Sequence, residues 1–222
     1  MYCMSRKWEG LINFSDIHQV RLKTTVFGWP SILLHEMSSG PTLDIAICGA
    51  GIAGLTAAIS LLKHPRINVQ IYEQATELRE VGASIALGPN GLRTLQRLGL
   101  ERAISDEVCH RGPSGVPMIY KHWKTNEILG EDHHEGVTEH VHHTARYLRA
   151  HLQEALLENV PRELIHLGKK FDGVKIRDDG VQVSFKDGTT VSADILLGAD
   201  GLRSVSGAIQ LIRIPRLICS RV

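Results

Sequence analysis

Hydrophobic and polar positions change their period several times along the chain, and the changes mark out its elements. Residues 1–42 have no sustained period, place Trp8 and Trp29 in a mixed segment, and end in the loop-like Ser38-Ser39-Gly40-Pro41. They read as an N-terminal extension, expected to be poorly ordered. From Leu43 to Cys48 the chain is an apolar run broken only by Asp44, and it stops at a glycine cluster, as a buried parallel strand does. Ile52 to Lys63, rich in Ala and Leu and followed by Pro65, predicts a helix, and Ile67 to Tyr72 a second strand. Strand, glycine turn, helix and strand together make a βαβ unit.

Beyond Glu73 the pattern predicts a short helical stretch over Ala75 to Glu80, a segment from Gly82 to Leu87, and a helix after Pro89-Asn90 with Leu92, Leu95 and Leu98 on one face. A further short helix is expected near Glu101 to Val108. Met118 to Leu129 reads as a hairpin turning at Thr125-Asn126, and Gly130 to His143 as a polar loop. Tyr147 to Glu158 predicts an amphipathic helix through Leu148, Leu152, Ala155 and Leu156, with Pro161 beyond its end. Four strands are then expected, at Leu164 to Leu167, Phe171 to Ile176, Val181 to Phe185 and Thr190 to Leu197. Asp178-Asp179-Gly180 and Lys186-Asp187-Gly188 are the turns among them.

Composition narrows the class of partner. Lys and Arg number 25 against 24 Asp and Glu, a formal net charge of +1, which removes the main electrostatic reason to expect nucleic acid or an anionic membrane. A small molecule is the expected partner. No apolar run approaches the 18 or so residues of a spanning helix, and Arg6, Lys7, Glu9 and Asp16 interrupt any secretory signal core. Cys3, Cys48, Cys109 and Cys219 are scattered and form no CxxC, so neither a zinc knuckle nor a disulfide framework is indicated, and the expected location is cytoplasmic. The acidic residues count against a mitochondrial address without ruling one out.

The strongest local signal is Gly49-Ala50-Gly51-Ile52-Ala53-Gly54. In a dinucleotide turn of this form the first glycine permits the tight turn off the strand. The second lets the backbone approach a pyrophosphate, and the third allows close packing of helix on strand. Such a motif alone is weak, but here a strand precedes it and a helix follows. Glu73 closes the second strand, where an acidic side chain can accept hydrogen bonds from adenosine ribose hydroxyls. An acid there also disfavours the 2'-phosphate of NADP in this cleft. The motif by itself leaves NAD and FAD both open.

The remaining motifs are more specific. IYEQ (Ile71 to Gln74), ELREVGASIALGPNG (Glu77 to Gly91) and LGL (Leu98 to Leu100) resemble the N-terminal part of the FAD-dependent aromatic hydroxylases of the salicylate and p-hydroxybenzoate hydroxylase type. Ala145 to Leu152 is similar to that family's HRADL-like helix start, and Asp194 to Gly201 to its Asp-Gly motif. The resemblance implies an α/β fold, a Rossmann-like FAD-binding domain of the GR2 type, with an inserted β hairpin. It also implies cofactor-binding roles. Gly49, Gly51 and Gly54 would form the pyrophosphate turn and Glu73 would hold the adenosine ribose. Gly82 and Ala83 would pass the flavin side, Arg149 would help hold FAD, and Asp200 and Gly201 would serve FAD and reduced nicotinamide. Two plainer readings stay open: Arg149 as an exposed helix arginine, and Asp200-Gly201 as a turn after a buried strand.

The implied activity is NAD(P)H-dependent hydroxylation of a small aromatic substrate, which the family performs through a flavin hydroperoxide. No catalytic acid or base is identified. Where the family has an arginine after the Asp-Gly segment this chain has Gly207, and the family's later Gly-Asp motif is absent. The chain therefore divides into an extension (1–42), an FAD-binding domain (43–204) and an atypical tail (205–222), and is expected to be truncated, with Met37 a natural alternative start. The alternatives are a non-catalytic FAD-binding or interaction fragment and an NAD-dependent dehydrogenase. His133, His134, His140, His142 and His143 lack HExxH spacing and are read as a solvated polar loop, with no metal site. Cys48 is read as a small buried apolar residue. Substrate identity, nicotinamide preference and oligomeric state are not legible.

Overall fold

The computed structural model describes residues 42–78, 83–112, 116–133, 135–202 and 204–206, with the backbone of Ile218–Cys219. The expected extension, Gly82, His134 and most of the tail lie outside the described residues. In chain order the elements are β1 (Leu43–Cys48), α1 (Ile52–Leu61), β2 (Ile67–Tyr72), β3 (Ser84–Leu87), α2 (Pro89–Arg97), β4 (Met118–Lys121), β5 (Ile128–Asp132), β6 (Ala145–Leu148) and α3 (Arg149–Leu157). They continue with β7 (Ile165–His166), β8 (Phe171–Arg177), β9 (Gly180–Phe185), β10 (Thr190–Ala193), β11 (Ile195–Gly198) and β12 (Ile218–Cys219).

A parallel sheet in the order β12-β11-β1-β2-β7 forms the middle layer. The apolar run of β1 is continuous because both of its faces are covered. Ile45 and Ile47 face a core shared with Leu55, Ala58 and Ile59 of α1 and with Leu152 and Leu156 of α3. Ala46 and Cys48 point the other way, into a second core with Val181, Val183 and Phe185 of the antiparallel sheet β10-β9-β8. Helices, parallel sheet and antiparallel sheet thus make three layers, the α/β Rossmann-like arrangement expected. Cys48 and Tyr72 stand opposite each other in the β1–β2 register, so the two strands end level. Gly49, Glu73 and Asp200 follow β1, β2 and β11 just beyond that end of the sheet.

Several sequence expectations are corrected. Ala75 to Glu77 is a series of bends and Leu78 is irregular, not helix, because the backbone groups bond elsewhere: the Ala75 N–H donates to Glu73 Oε1 at 2.9 Å, and the Ala75 carbonyl accepts from the Gly168 N–H at 2.9 Å. Residues 79 and 80 of that expected helix lie outside the described residues. The helix expected at Glu101 is only a 3-10 turn, Arg102–Ile104. Tyr147 and Leu148 belong to β6, which pairs antiparallel with β3, and α3 starts at Arg149. Tyr147 is buried with its hydroxyl donating to the Ala103 carbonyl, whereas Leu148 is exposed, an alternation of period two. The expected strand Leu164 to Leu167 shortens to β7, preceded by a 3-10 turn at Arg162–Leu164.

The long strand expected over Thr190 to Leu197 is two strands in different sheets. Asp194 divides them, its N–H donating to the Asp44 carbonyl while its carboxylate accepts the Asp44 N–H at 2.7 Å. The hairpin is present, with Asn126 at positive φ in its turn and β5 running on to Asp132. It leaves large apolar side chains in solvent, Trp123 at 89% and Leu129 at 64% exposure among them. Within the expected polar loop, His142 is buried and paired through Nε2 with Gln96 at 2.7 Å, so that histidine is a packed residue rather than a solvated one. Among the described residues no helix is long and apolar enough to cross a membrane.

Candidate cofactor site

β1 delivers Gly49-Ala50-Gly51 to the end of the sheet, and α1 begins immediately after at Ile52. The glycines of this turn meet different constraints. Gly49 has φ +110°, and a Cβ there would collide with the Ala199 carbonyl, 2.7 Å from its carbon. On Gly54 a Cβ would run into the carbonyl of Gly49, 3.0 Å from its carbon. Gly51 is different: a Cβ would meet nothing within 4 Å. The turn is closed on the protein side and open over Gly51, the space that lets a ligand come close to the protein backbone.

α1 has no side-chain cap and no acidic residue in its first turn. Its first N–H groups and the positive end of its dipole therefore face the opening, a setting suited to an anion. Glu73, at the end of β2, accepts the N–H of Ala50 at 2.7 Å through Oε2 and that of Ala75 at 2.9 Å through Oε1. A carboxylate offers about four lone-pair directions, so holding the turn leaves acceptor capacity for ribose hydroxyls. A cavity of about 330 Å³ opens here, lined by Cys48, Gly49, Glu73, Lys170 and Asp200 among others. A larger cleft of about 430 Å³ lies at the other end of the strands, around Asp44, Asn68 and Ser192. Ligands of open α/β sheets bind outside the carboxyl ends of the strands, so the smaller cavity is the candidate.

Asp200 follows β11 and directs its carboxylate into the next turn. Oδ1 accepts from the hydroxyls of Ser204 and Ser206, both at 2.6 Å, and Oδ2 accepts from the N–H groups of Val205 at 2.8 Å and Ser206 at 3.0 Å. Burial acts to raise its pKa, but these hydrogen bonds outweigh it and hold the carboxyl below its ordinary value. Gly201 takes φ +80° within the turn. Ser206 is fully buried beneath, packed where a Cβ on Gly198 would come within 3.0 Å of its own Cβ. Burial above all, and then the carboxylates of Asp200 and Glu73, push the Cys48 thiol up to about 12.

The other sequence-derived residues form a second group. The Arg149 N–H donates to the Ala83 carbonyl at 2.9 Å, which joins these two positions where β3 begins and β6 ends, and Arg149 is half-buried at the start of α3. Gly82 lies outside the described residues. The two groups are linked by Gln153, which the sequence reading missed. Its buried carboxamide donates to the Ala50 carbonyl at 3.0 Å. Ser204 and Ser206, the partners of Asp200, were also missed.

Comparison with known proteins agrees with this geometry. The family described as FAD binding domain matches residues 42–213. Salicylate hydroxylase of Pseudomonas putida is 36% identical over 167 residues, which is 74% of this chain and 37% of the relative. 6-hydroxynicotinate 3-monooxygenase of Pseudomonas fluorescens is 36% identical over 177 residues, 76% of this chain and 42% of the relative. Among solved structures, Klebsiella pneumoniae HpxO complexed with FAD and uric acid superposes with a TM-score of 0.60 at 30% identity, covering 73% of this chain and 40% of that one. This chain thus spans about 40% of the length of the relatives it matches. A turn open only over Gly51, an acid closing β2 and an Asp-Gly turn behind them, all within the matched span, place this chain in the FAD-binding-domain family of the FAD-dependent aromatic hydroxylases.

Proposed function

We propose that this chain is the FAD-holding portion of an NAD(P)H-dependent flavoprotein monooxygenase that hydroxylates a small aromatic substrate. The observation that carries the reading is the open space over Gly51 at an uncapped helix N-terminus, with a carboxylate and a cavity alongside. The N–H groups of the turn and of α1 would receive the pyrophosphate, and Glu73 the adenosine ribose. Arg149 and Ala83 would lie toward the flavin, and the Asp200-Gly201 turn would close the opposite wall. When bound, FAD supplies the hydride acceptor and the oxygen chemistry that no side chain can provide.

The residues of this chain would bind and orient. None is assigned as a proton donor or acceptor in the reaction. The relatives' names motivate the substrate class: salicylate, 6-hydroxynicotinate and 3-amino-4-hydroxybenzoate are all small aromatic acids. The test is to purify the chain, add FAD, and follow NADPH and NADH oxidation with a panel of such acids. Substrate-stimulated oxidation with a hydroxylated product supports the reading. Flavin uptake with no turnover under any condition denies this chain monooxygenase activity by itself and leaves the binding assignment, whereas no flavin uptake refutes the reading.

A second reading is favoured by the exposed hairpin, on which Tyr120, Trp123, Ile128 and Leu129 are uncovered. Two-stranded hairpins are marginal alone, and apolar surface of this kind marks interaction sites. An FAD-binding chain that works by associating with another protein would use such a surface. Membership of an FAD-binding family leaves the dehydrogenase alternative without support.

A further inference from the structure

We propose that Gln153 is a positioning residue that fixes the direction of the Gly51 N–H and thereby sets the affinity of the turn for a pyrophosphate. Gln153 lies on α3, remote in sequence from the turn, and is 6% exposed. Burying a carboxamide costs free energy unless its polar atoms are bonded, so its contact with Ala50 is a specific one. Glu73 holds the Ala50 N–H at 2.7 Å, and Gln153 holds the Ala50 carbonyl at 3.0 Å. Both peptide units flanking Ala50 are therefore fixed from outside the turn.

The consequence follows from peptide geometry. In a planar trans peptide the C=O and N–H point in opposite directions, and no peptide among the described residues is cis. Gln153 draws the Ala50 carbonyl toward the buried side, since Ala50 is itself fully buried. The other end of that peptide unit is the Gly51 N–H, which must then face the open side, where a Cβ on Gly51 would meet nothing within 4 Å. Without Gln153 the unit can rotate, and the Ala50 carbonyl, a partial negative charge, can turn toward the opening. That orientation repels an anion. The same helix begins at Arg149, so α3 bears on both ends of the proposed cofactor path.

The inference rests on reading the turn as a pyrophosphate site, and the experiment separates failure of one from failure of the other. Flavin-free chain is titrated with FAD by flavin fluorescence, and ADP and adenosine are measured as competitors, because only ADP carries the pyrophosphate. Gln153→Met keeps the length and loses the donor. Gln153→Glu keeps the shape, places an acceptor against the carbonyl, and carries the test if the methionine variant fails to fold. Asn159→Ala removes a side-chain bond just past the C-terminal end of the same helix, to the Ala155 carbonyl, which does not involve the turn. Loss of one such bond predicts FAD and ADP weakened together by about five- to tenfold in both Gln153 variants. Adenosine should compete as in the unaltered chain, and Asn159→Ala should change none of the three.

FAD and ADP affinities in the Gln153 variants equal to those of the unaltered chain would overturn the proposal, and so would a loss of adenosine affinity as large as that of FAD and ADP, which marks a merely structural effect. Failure of the unaltered chain to bind FAD would refute the reading of the turn itself.

Discussion

Gly49 and Ala199 are in backbone contact, so the glycine turn after β1 and the Asp-Gly turn after β11 are built against each other. β1 and β11 are parallel neighbours with Cys48 opposite Gly198, and the Ala199 N–H donates to the Cys48 carbonyl at 2.8 Å. Two motifs from opposite ends of the domain thus share one wall. Gly49→Ala places a side chain into the Ala199 carbonyl at a φ of +110°. Strain and overpacking together predict a loss of about 2–6 kcal/mol in stability, read as a shift in urea midpoint.

Gly51→Ala should behave in the opposite way. Its backbone is extended at φ −74°, ψ −177°, and its Cβ position is open. Stability should change by no more than about 0.5 kcal/mol. FAD affinity should fall at least about tenfold, since each 1.4 kcal/mol of lost contact is a factor of ten. Urea denaturation of the flavin-free variant and FAD titration separate the two quantities, and a Gly51→Ala chain that unfolds easily would show the opening to be filled.

Asp200 makes stability depend on acid. Its carboxyl lies below the ordinary value in the folded chain, so the stability it contributes is complete above the unfolded pKa, about 4, and is lost as pH falls through the lower folded value. Asp200→Asn should therefore be less stable than the unaltered chain at pH 7, and the difference should shrink below about pH 4. Urea midpoints across that range test the sign. A difference that grows in acid would show that the Ser204 and Ser206 hydrogen bonds do not stabilise the ionised form.

Cys48 should be chemically silent. With its thiol pushed up to about 12, it remains protonated near pH 8, and its burial in the core under the turn blocks access. Iodoacetamide at pH 8 should leave Cys48 unmodified in the folded chain and label it after denaturation, as mapped by mass spectrometry of its peptide. Labelling at comparable rates in both states would mean that β1 is not packed against the β8–β10 sheet.

Local pattern was sufficient where the core is local. β1, α1 and β2 could be read in the sequence because a doubly buried strand, a glycine turn and an Ala-rich helix each leave a dense apolar signature, and Pro65 closes the helix. The pattern misled where tertiary pairing competes with it. Leu148, Leu152 and Leu156 share a helical spacing, yet Leu148 is exposed, because Tyr147 opposite Ile85 in the β3–β6 pair sets the face of that segment. Thr190 to Leu197 is uniformly β-like, and its division at Asp194 depends on a bond to Asp44 that no short window contains. Gln153 was invisible for a related reason: a glutamine in a helix reads as surface. Its position one turn before the buried Leu157 was the only local hint.

The most direct measurement of the central claim is a titration of FAD into the purified flavin-free chain, followed by flavin fluorescence. Saturable one-to-one binding that Gly51→Ala weakens at least about tenfold is the expected result. A folded chain that shows no saturable FAD binding, or that binds FAD equally well with Gly51→Ala, would contradict the assignment of this turn as the cofactor site.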